Sequence, residues 1–151
     1  MRMDFIIDPA QVYESKVLGA SAILLIASML EKDQLHDLLN LAQELELAVI
    51  VESGNENDIE KAIECNPDIY GINNRSLETL SCDLGITGRL VPFIPGGKII
   101  VTESCIVSKD DVARLMNEGC GRLNAMLVGS SIMQNKSAES IRDKIVELTD
   151  F

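Results

Sequence analysis

One pattern recurs six times along the chain and narrows the fold more than any other feature. A short β-branched or aliphatic run is followed each time by an amphipathic stretch of helical period. The runs are Phe5–Asp8, Ala22–Ser28, Ala48–Ser53, Ile69–Asn73, Lys98–Glu103 and Ala125–Ser130. Most are near-continuously apolar, as parallel strands covered on both faces are. Between them, Glu31–Leu47 puts Leu35, Leu38, Leu39, Ala42 and Leu45 on one stripe with charges opposite. Asn55–Cys65 does the same with Ile59, Ala62 and Ile63. Ser108 is a helix N-cap with acids in the turn that follows, and Val112, Leu115 and Met116 face inward. A last helix, from Ser137 or Ala138 to Leu148, turns Ile141, Ile145 and Leu148 inward. Pro9 suits a first helical turn. Ser81–Ile94 is the weakest helix, interrupted by Gly85, Gly88 and Pro92.

Alternating βα units with short connections predict an α/β fold with a parallel sheet, wound as an open doubly wound sheet or as a barrel. Six units fill 151 residues, whereas a complete (βα)8 barrel runs to about 250. The expectation is a single domain over residues 1–151: a (βα)6 segment of a TIM-type barrel two units short of closure. It would be barrel-like and completed by association, or rearranged to an open doubly wound sheet.

Composition trims the list of partners. The net charge is −11, which makes duplex nucleic acid and anionic membrane poor partners. The acidity is uneven: residues 1–75 carry 5 basic and 14 acidic groups, residues 76–151 carry 8 and 10. An anion is therefore held more easily by the second half. Two Tyr, three Phe and no Trp offer no stacking platform for single strands. Cys65, Cys82, Cys105 and Cys120 form no CxxC pair and His36 is the single histidine, so no metal site is expected. The expectation is four free thiols in a reducing, cytoplasmic setting. The N-terminus lacks a signal-peptide layout, and the longest apolar run, Ala22–Ala27, is too short to span a bilayer.

In parallel α/β folds the chemistry gathers at the carboxyl ends of strands. The polar residues there are Asp8, Glu52-Ser53, Asn73-Asn74-Arg75, Glu103-Ser104 and Gly129-Ser130-Ser131. Each has a plain structural reading: Asn73 and Asn74 can shape a turn, Ser130 or Ser131 can cap a helix, and Glu52 can be a solvated carboxylate. Together they form more of a ring than a purely structural domain needs. Gly129-Ser130-Ser131 has the chemistry of a phosphate cup, with backbone N–H groups approaching at glycine and hydroxyl donors beside them. Ser104 would complete that cup, and Glu52 and Asn73 would lie across the mouth as acid/base and orienting groups.

These residues resemble the indole-3-glycerol phosphate synthase family. The resemblance is carried by Asp4-Phe5-Ile6-Ile7-Asp8-Pro9, Ala22–Ala27, Val51-Glu52, Gly71-Ile72-Asn73-Asn74-Arg75, Thr102-Glu103-Ser104 and Leu127-Val128-Gly129-Ser130-Ser131, in family order over the whole chain. The match would begin at the family's third barrel strand and run through its eighth helix. It implies closure of an indole ring on 1-(2-carboxyphenylamino)-1-deoxyribulose 5-phosphate with loss of CO2 and water, without a cofactor. By the same resemblance Glu52 is the catalytic glutamate and Asn73 contacts the reacting substrate. Arg75 and Ser104 are substrate-binding, and Gly129 and Ser130 hold the phosphate.

The departures are equally informative. Met3 stands where the family has a lysine general acid, and Cys105 where it has glycine after Glu-Ser. Glu46 takes the place of a helix-ending glycine, and Gly119–Asn124 is longer than the usual turn. The first two βα units have no counterpart. A general acid contributes about 10²–10⁴-fold, so poor turnover is expected of this chain alone. Three readings therefore stand: a synthase or a piece of one completed by a complementing chain, a non-catalytic relative that binds phosphorylated ligands, and a barrel-fragment scaffold whose open edges drive homo-oligomerisation. His36, mid-helix beside Asp33 and Asp37, reads as a solvated surface residue, and Cys105 as an inert substitution.

Overall fold

The computed structural model describes residues 1–150. Among these residues five strands form one parallel sheet: β1 (Ala22–Ile26), β2 (Ala48–Ser53), β3 (Ile69–Asn73), β4 (Ile99–Glu103) and β5 (Ala125–Leu127). The helices are α1 (Pro9–Val17), α2 (Lys32–Glu44), α3 (Glu56–Cys65), α4 (Gly85–Leu90), α5 (Lys109–Glu118), α6 (Ser130–Met133) and α7 (Ala138–Thr149). The strand order is sequential from β1 to β5, with no reversal. That is the winding of a barrel segment; a doubly wound sheet reverses direction at a switch point. The partial-barrel expectation is met and the rearranged alternative is not.

The sixth expected strand does not form. Phe5–Asp8 is irregular, and the N-terminal segment meets the sheet through a single parallel bridge between Arg2 and Ile23. The reason is local. Gln11 Oε1 accepts the Ile7 and Asp8 N–H groups at 2.8 and 3.1 Å, and its amide donates to Phe5 O at 2.9 Å. These bonds recruit the run's backbone into the capping box of α1, with Pro9 in the first turn as expected.

The residues group into two compact units, and the division falls inside β3. The first holds Met1–Gly71 and Phe93–Ile99. There β1 and β2 pair in register from Ala22↔Ala48 to Ile26↔Glu52. Leu35, Leu38, Leu39 and Ala42 of α2 and Ile59 and Ala62 of α3 are buried, as their spacing requires. Lys61 Nζ donates to Ala27 O and Leu30 O, both at 2.7 Å, and so closes the 3-10 turn after β1. Glu46, where a helix-ending glycine was expected, has φ +56°, the left-handed conformation a glycine would adopt freely.

The second unit holds Ile72–Pro92 and the chain from Ile100 onward. Here β4 and β5 pair from Val101↔Ala125 to Glu103↔Leu127. Its core is Ile106, Val112, Leu115 and Leu148, with Leu123, Met126, Val128 and Ile132 against it. Ser108 caps α5 through a reciprocal box with Asp111. Two inward assignments fail. Met116 and Ile145 are 38% and 43% exposed and line an apolar cavity of about 380 Å³. The stretch Ser81–Ile94 yields only α4 and a 3-10 turn at Val91–Phe93.

Candidate active site

The second unit brings four of the six expected site residues together. Arg75, Ser104, Gly129 and Ser130 line a hollow of about 150 Å³, along with Cys105, Ile106, Val107, Leu127, Val128 and Ser131. Pockets for drug-sized ligands run to about 300–1,000 Å³, so this hollow has room for a small group such as a phosphate. Its position follows from strand geometry. Ser104 comes directly after β4 and Gly129 two residues after β5, and Ser104 N–H donates to Leu127 O at 3.2 Å.

The cup's donors are not those of a long helix. Gly129, not a serine, is the N-cap of α6, and α6 is a single turn of four residues. A helix this short adds little macrodipole, so the donors at the hollow are local N–H groups, hydroxyls and the Arg75 guanidinium. Ser131 is already engaged, its Oγ donating to Ile106 O at 2.7 Å. That leaves Ser104 and Ser130 as the hydroxyls of the hollow.

Asn73 ends β3, 7% exposed, and its Oδ1 accepts the Arg75 N–H at 3.0 Å. Arg75 Nη1 donates to Leu80 O at 3.0 Å. Beneath them lies a buried network that sequence reasoning missed. Asn74 Nδ2 donates to Thr102 Oγ1 and Glu103 O, and Asn74 Oδ1 accepts from the N–H and hydroxyl of Thr87. Asn74, Thr87 and Thr102 are all 0% exposed. The sequence carried little signal for it: Asn74 stands between Asn73 and Arg75 and Thr102 between Val101 and Glu103, and only their burial makes these polar groups need one another. Nearby, the Arg89 guanidinium at 2.8 Å and the Gly85 N–H hold the Asp83 carboxyl below its ordinary range.

Glu52 belongs to the first unit, where it closes the β1–β2 register opposite Ile26 and is 5% exposed. Ser53 beside it is 1% exposed. Burial at a strand's carboxyl end is the environment in which a carboxylate can work as an acid or base. Asp8, by contrast, caps α1, its side chain accepting the Ala10 N–H at 2.8 Å. His36 is a surface residue, 53% exposed at its side chain.

Two cysteines depart from expectation. Cys82 and Cys105 form a disulfide, leaving Cys65 buried and Cys120 exposed as free thiols. Cys105 is therefore not an inert substitution. Its backbone has φ +65°, following Ser104 at φ +67°, so the glycine conformation is kept without the glycine. Spacing could not reveal the pair, because its partners are 23 residues apart and meet only through β3 and β4.

Residues 1–145 match the family model for indole-3-glycerol phosphate synthase. The chain belongs to the indole-3-glycerol phosphate synthase family. It is 44% identical over 134 residues to the indole-3-glycerol phosphate synthase of Legionella pneumophila (strain Paris), covering 89% of this chain and 51% of that protein. It is 43% identical over 148 residues to the synthase of Alkaliphilus metalliredigens (strain QYMF), covering 98% of this chain and 54% of that protein. The chain thus spans about half the length of the curated synthases it matches. Among solved structures, a mandelate oxidase variant with a C4a-OH-FMN adduct superposes with a TM-score of 0.73 at 15% identity, covering 98% of this chain and 56% of the other. Native KDPGal gives 0.69 at 14% identity, covering 96% and 64%. These two likenesses concern the fold alone, and they agree with the TIM-type winding of the sheet. No helix among the described residues is long and apolar enough to cross a membrane.

Proposed function

We propose that the chain carries the phosphate-binding and part of the catalytic equipment of an indole-3-glycerol phosphate synthase. The reaction closes the indole ring of 1-(2-carboxyphenylamino)-1-deoxyribulose 5-phosphate with loss of CO2 and water. The observation that supports this most is the convergence of Arg75, Ser104, Gly129 and Ser130 on one phosphate-sized hollow. In this reading the Gly129 and Ser130 N–H groups and the Ser104 and Ser130 hydroxyls hold the phosphate, and Arg75 supplies the positive charge. Glu52 moves protons as the acid/base, and Asn73 orients the substrate. No cofactor takes part. The setting is cytoplasmic, and the βα units that precede this stretch in the family are supplied from outside residues 1–151, as by a second copy or a complementing chain.

Ring closure must form a carbon–carbon bond, expel CO2 and then lose water. The last step needs a proton delivered to a leaving hydroxyl. The family's lysine at that task is Met3 here, which carries no proton to give. A positioned general acid contributes about 10²–10⁴-fold, so turnover by this chain alone is slow. Met3 also supports a second reading, a non-catalytic relative that retains the phosphate cup. A single-turnover assay separates the two: excess protein is mixed with the ribulose phosphate substrate and indole fluorescence is followed. Product formation above the buffer rate, abolished in Glu52→Gln, supports the synthase. A flat trace with phosphate binding intact supports the binder.

A further inference from the structure

We propose that the Cys82–Cys105 disulfide is a redox gate on the phosphate hollow, holding it ready for an anion when oxidised and loosening it when reduced. The inference rests on the reading of that hollow as a phosphate site. Cys105 lines the hollow beside Ser104, and both have left-handed backbones, at φ +65° and +67°. Residues with a Cβ adopt this conformation at a cost, and two in succession need something to hold them. The disulfide is that restraint. It ties Cys105 to Cys82, which also forms an antiparallel bridge with Arg75, another residue of the hollow.

The segment between Arg75 and Cys82 is a compact turn. Ser76 N–H donates to Ser81 O, Leu80 N–H donates to Ser76 O, and Arg75 Nη1 donates to Leu80 O. At its base the turn is fastened to the end of β4 by Asn74 N–H donating to Glu103 O. On the Cys82 side the disulfide is the covalent tie to Cys105. Breaking it leaves Ser104 and Cys105 to relax out of the left-handed region, and the Ser104 hydroxyl leaves its place in the hollow.

The chemistry balances with a dithiol reductant. Cys82 is exposed, so a reductant thiolate reaches its sulfur. That attack forms a mixed disulfide and expels Cys105 as thiolate, which takes up a proton. The reductant's second thiol, once deprotonated, closes its own disulfide and releases Cys82, also protonated in turn. Two electrons and two protons pass from the dithiol to the protein. In a glutathione-buffered setting an accessible disulfide exchanges in this way, which is how intracellular disulfides act as sensors.

The test titrates inorganic phosphate into the full chain with and without dithiothreitol, following the Ser104, Gly129 and Ser130 amides by NMR. The expected result is about tenfold weaker phosphate binding after reduction, recovered on reoxidation. Cys82→Ser, which leaves every residue lining the hollow in place, should bind like the reduced protein under both conditions. Equal affinity in both states overturns the gate and leaves the phosphate site standing. No binding in either state overturns the phosphate reading and the gate with it. Alkylation under denaturing conditions checks the bond itself. Two labelled cysteines before reduction and four after support the gate, and four labelled without reduction overturn it.

Discussion

Asn74 Nδ2 donates to Thr102 Oγ1 across 2.9 Å, tying the segment after β3 to the end of β4 within the second unit. The same carboxamide reaches Glu103 O at 3.0 Å, and its oxygen accepts the Thr87 hydroxyl at 2.9 Å. Asn74→Ala removes these bonds, while Glu103 O keeps the Asn74 backbone N–H and the Thr87 and Thr102 hydroxyls keep each other. The three lost bonds are worth about 0.5–1.5 kcal/mol each, so the variant is expected to lose about 2–4 kcal/mol in total. Urea unfolding measures the loss as a lowered midpoint at unchanged slope. A change below about 0.5 kcal/mol, the range of an ordinary surface substitution, would mean that the network does not fasten β3 to β4.

Among the described residues lining the hollow, Arg75 alone carries a positive charge. A hydrogen bond to a charged group is worth about 1.5–3 kcal/mol. Arg75→Met should therefore weaken phosphate binding roughly tenfold or more and flatten its salt dependence. Ser130→Ala should cost less and leave the salt dependence alone. Calorimetric titration with inorganic phosphate at two ionic strengths reads both. Equal losses from the two variants would show that Arg75 does not supply the charge.

Asp58 and Asp111 occupy the same third position of their helices, α3 and α5, yet their carboxyls move in opposite directions. Burial at 4% exposure pushes Asp58 up, against the Gly54 N–H and the Asn55 amide that favour its charge. At Asp111 burial also pulls upward, but the Val107 and Ser108 N–H groups, both at 2.9 Å, and the Ser108 hydroxyl outweigh it and bring the carboxyl down. The stability signs follow. Asp111 contributes stability that is complete above the unfolded value of 3.8 and is lost as pH falls through its lower folded value. Asp58 costs stability at pH above its raised folded value, and that cost is relieved as pH falls through it. Carboxyl-carbon NMR titration should place the Asp58 midpoint above 3.8 and the Asp111 midpoint below it. The reverse order would refute the assignment of these two environments.

Glu46 takes the left-handed turn after α2 at φ +56° while its carboxylate stays almost fully exposed, 3.8 Å from Lys16. So exposed an ion pair contributes little, whereas the backbone conformation costs about 1 kcal/mol relative to glycine. Glu46→Gly is expected to raise the melting temperature by about 2–4 °C. Calorimetry checks it, and a lower Tm would mean that the Lys16 pair outweighs the strain.

What the sequence made legible depended on range. Ser108 and Asp111 lie three residues apart, and their capping box could be read directly because it is local. The stripe of Leu35, Leu38, Leu39 and Ala42 was equally plain. Ser104, Gly129 and Ser130 converge because strand ends in a parallel sheet share one rim, so a correct topology was enough to bring them together. Phe5–Asp8 misled because its apolar residues suit a strand while Gln11, outside the run, claims its backbone. The Cys82–Cys105 bond and the Asn74–Thr87–Thr102 network needed distances that no spacing rule contains. Cys105 could be seen to replace a glycine, but what a side chain would do there depended on a turn arriving from β3.

The sequential order of the strands bears on how such a chain comes into being. Ala22 pairs with Ala48 and Val101 with Ala125, so each strand meets its partner after a single helix and its turns. No strand waits for a distant segment to be made. The sheet can grow one unit at a time as the chain leaves the ribosome, and the entropy of closing each loop stays small. A division between two such units leaves each part with its own pairings intact, which makes this architecture easy to shorten, duplicate or divide between genes.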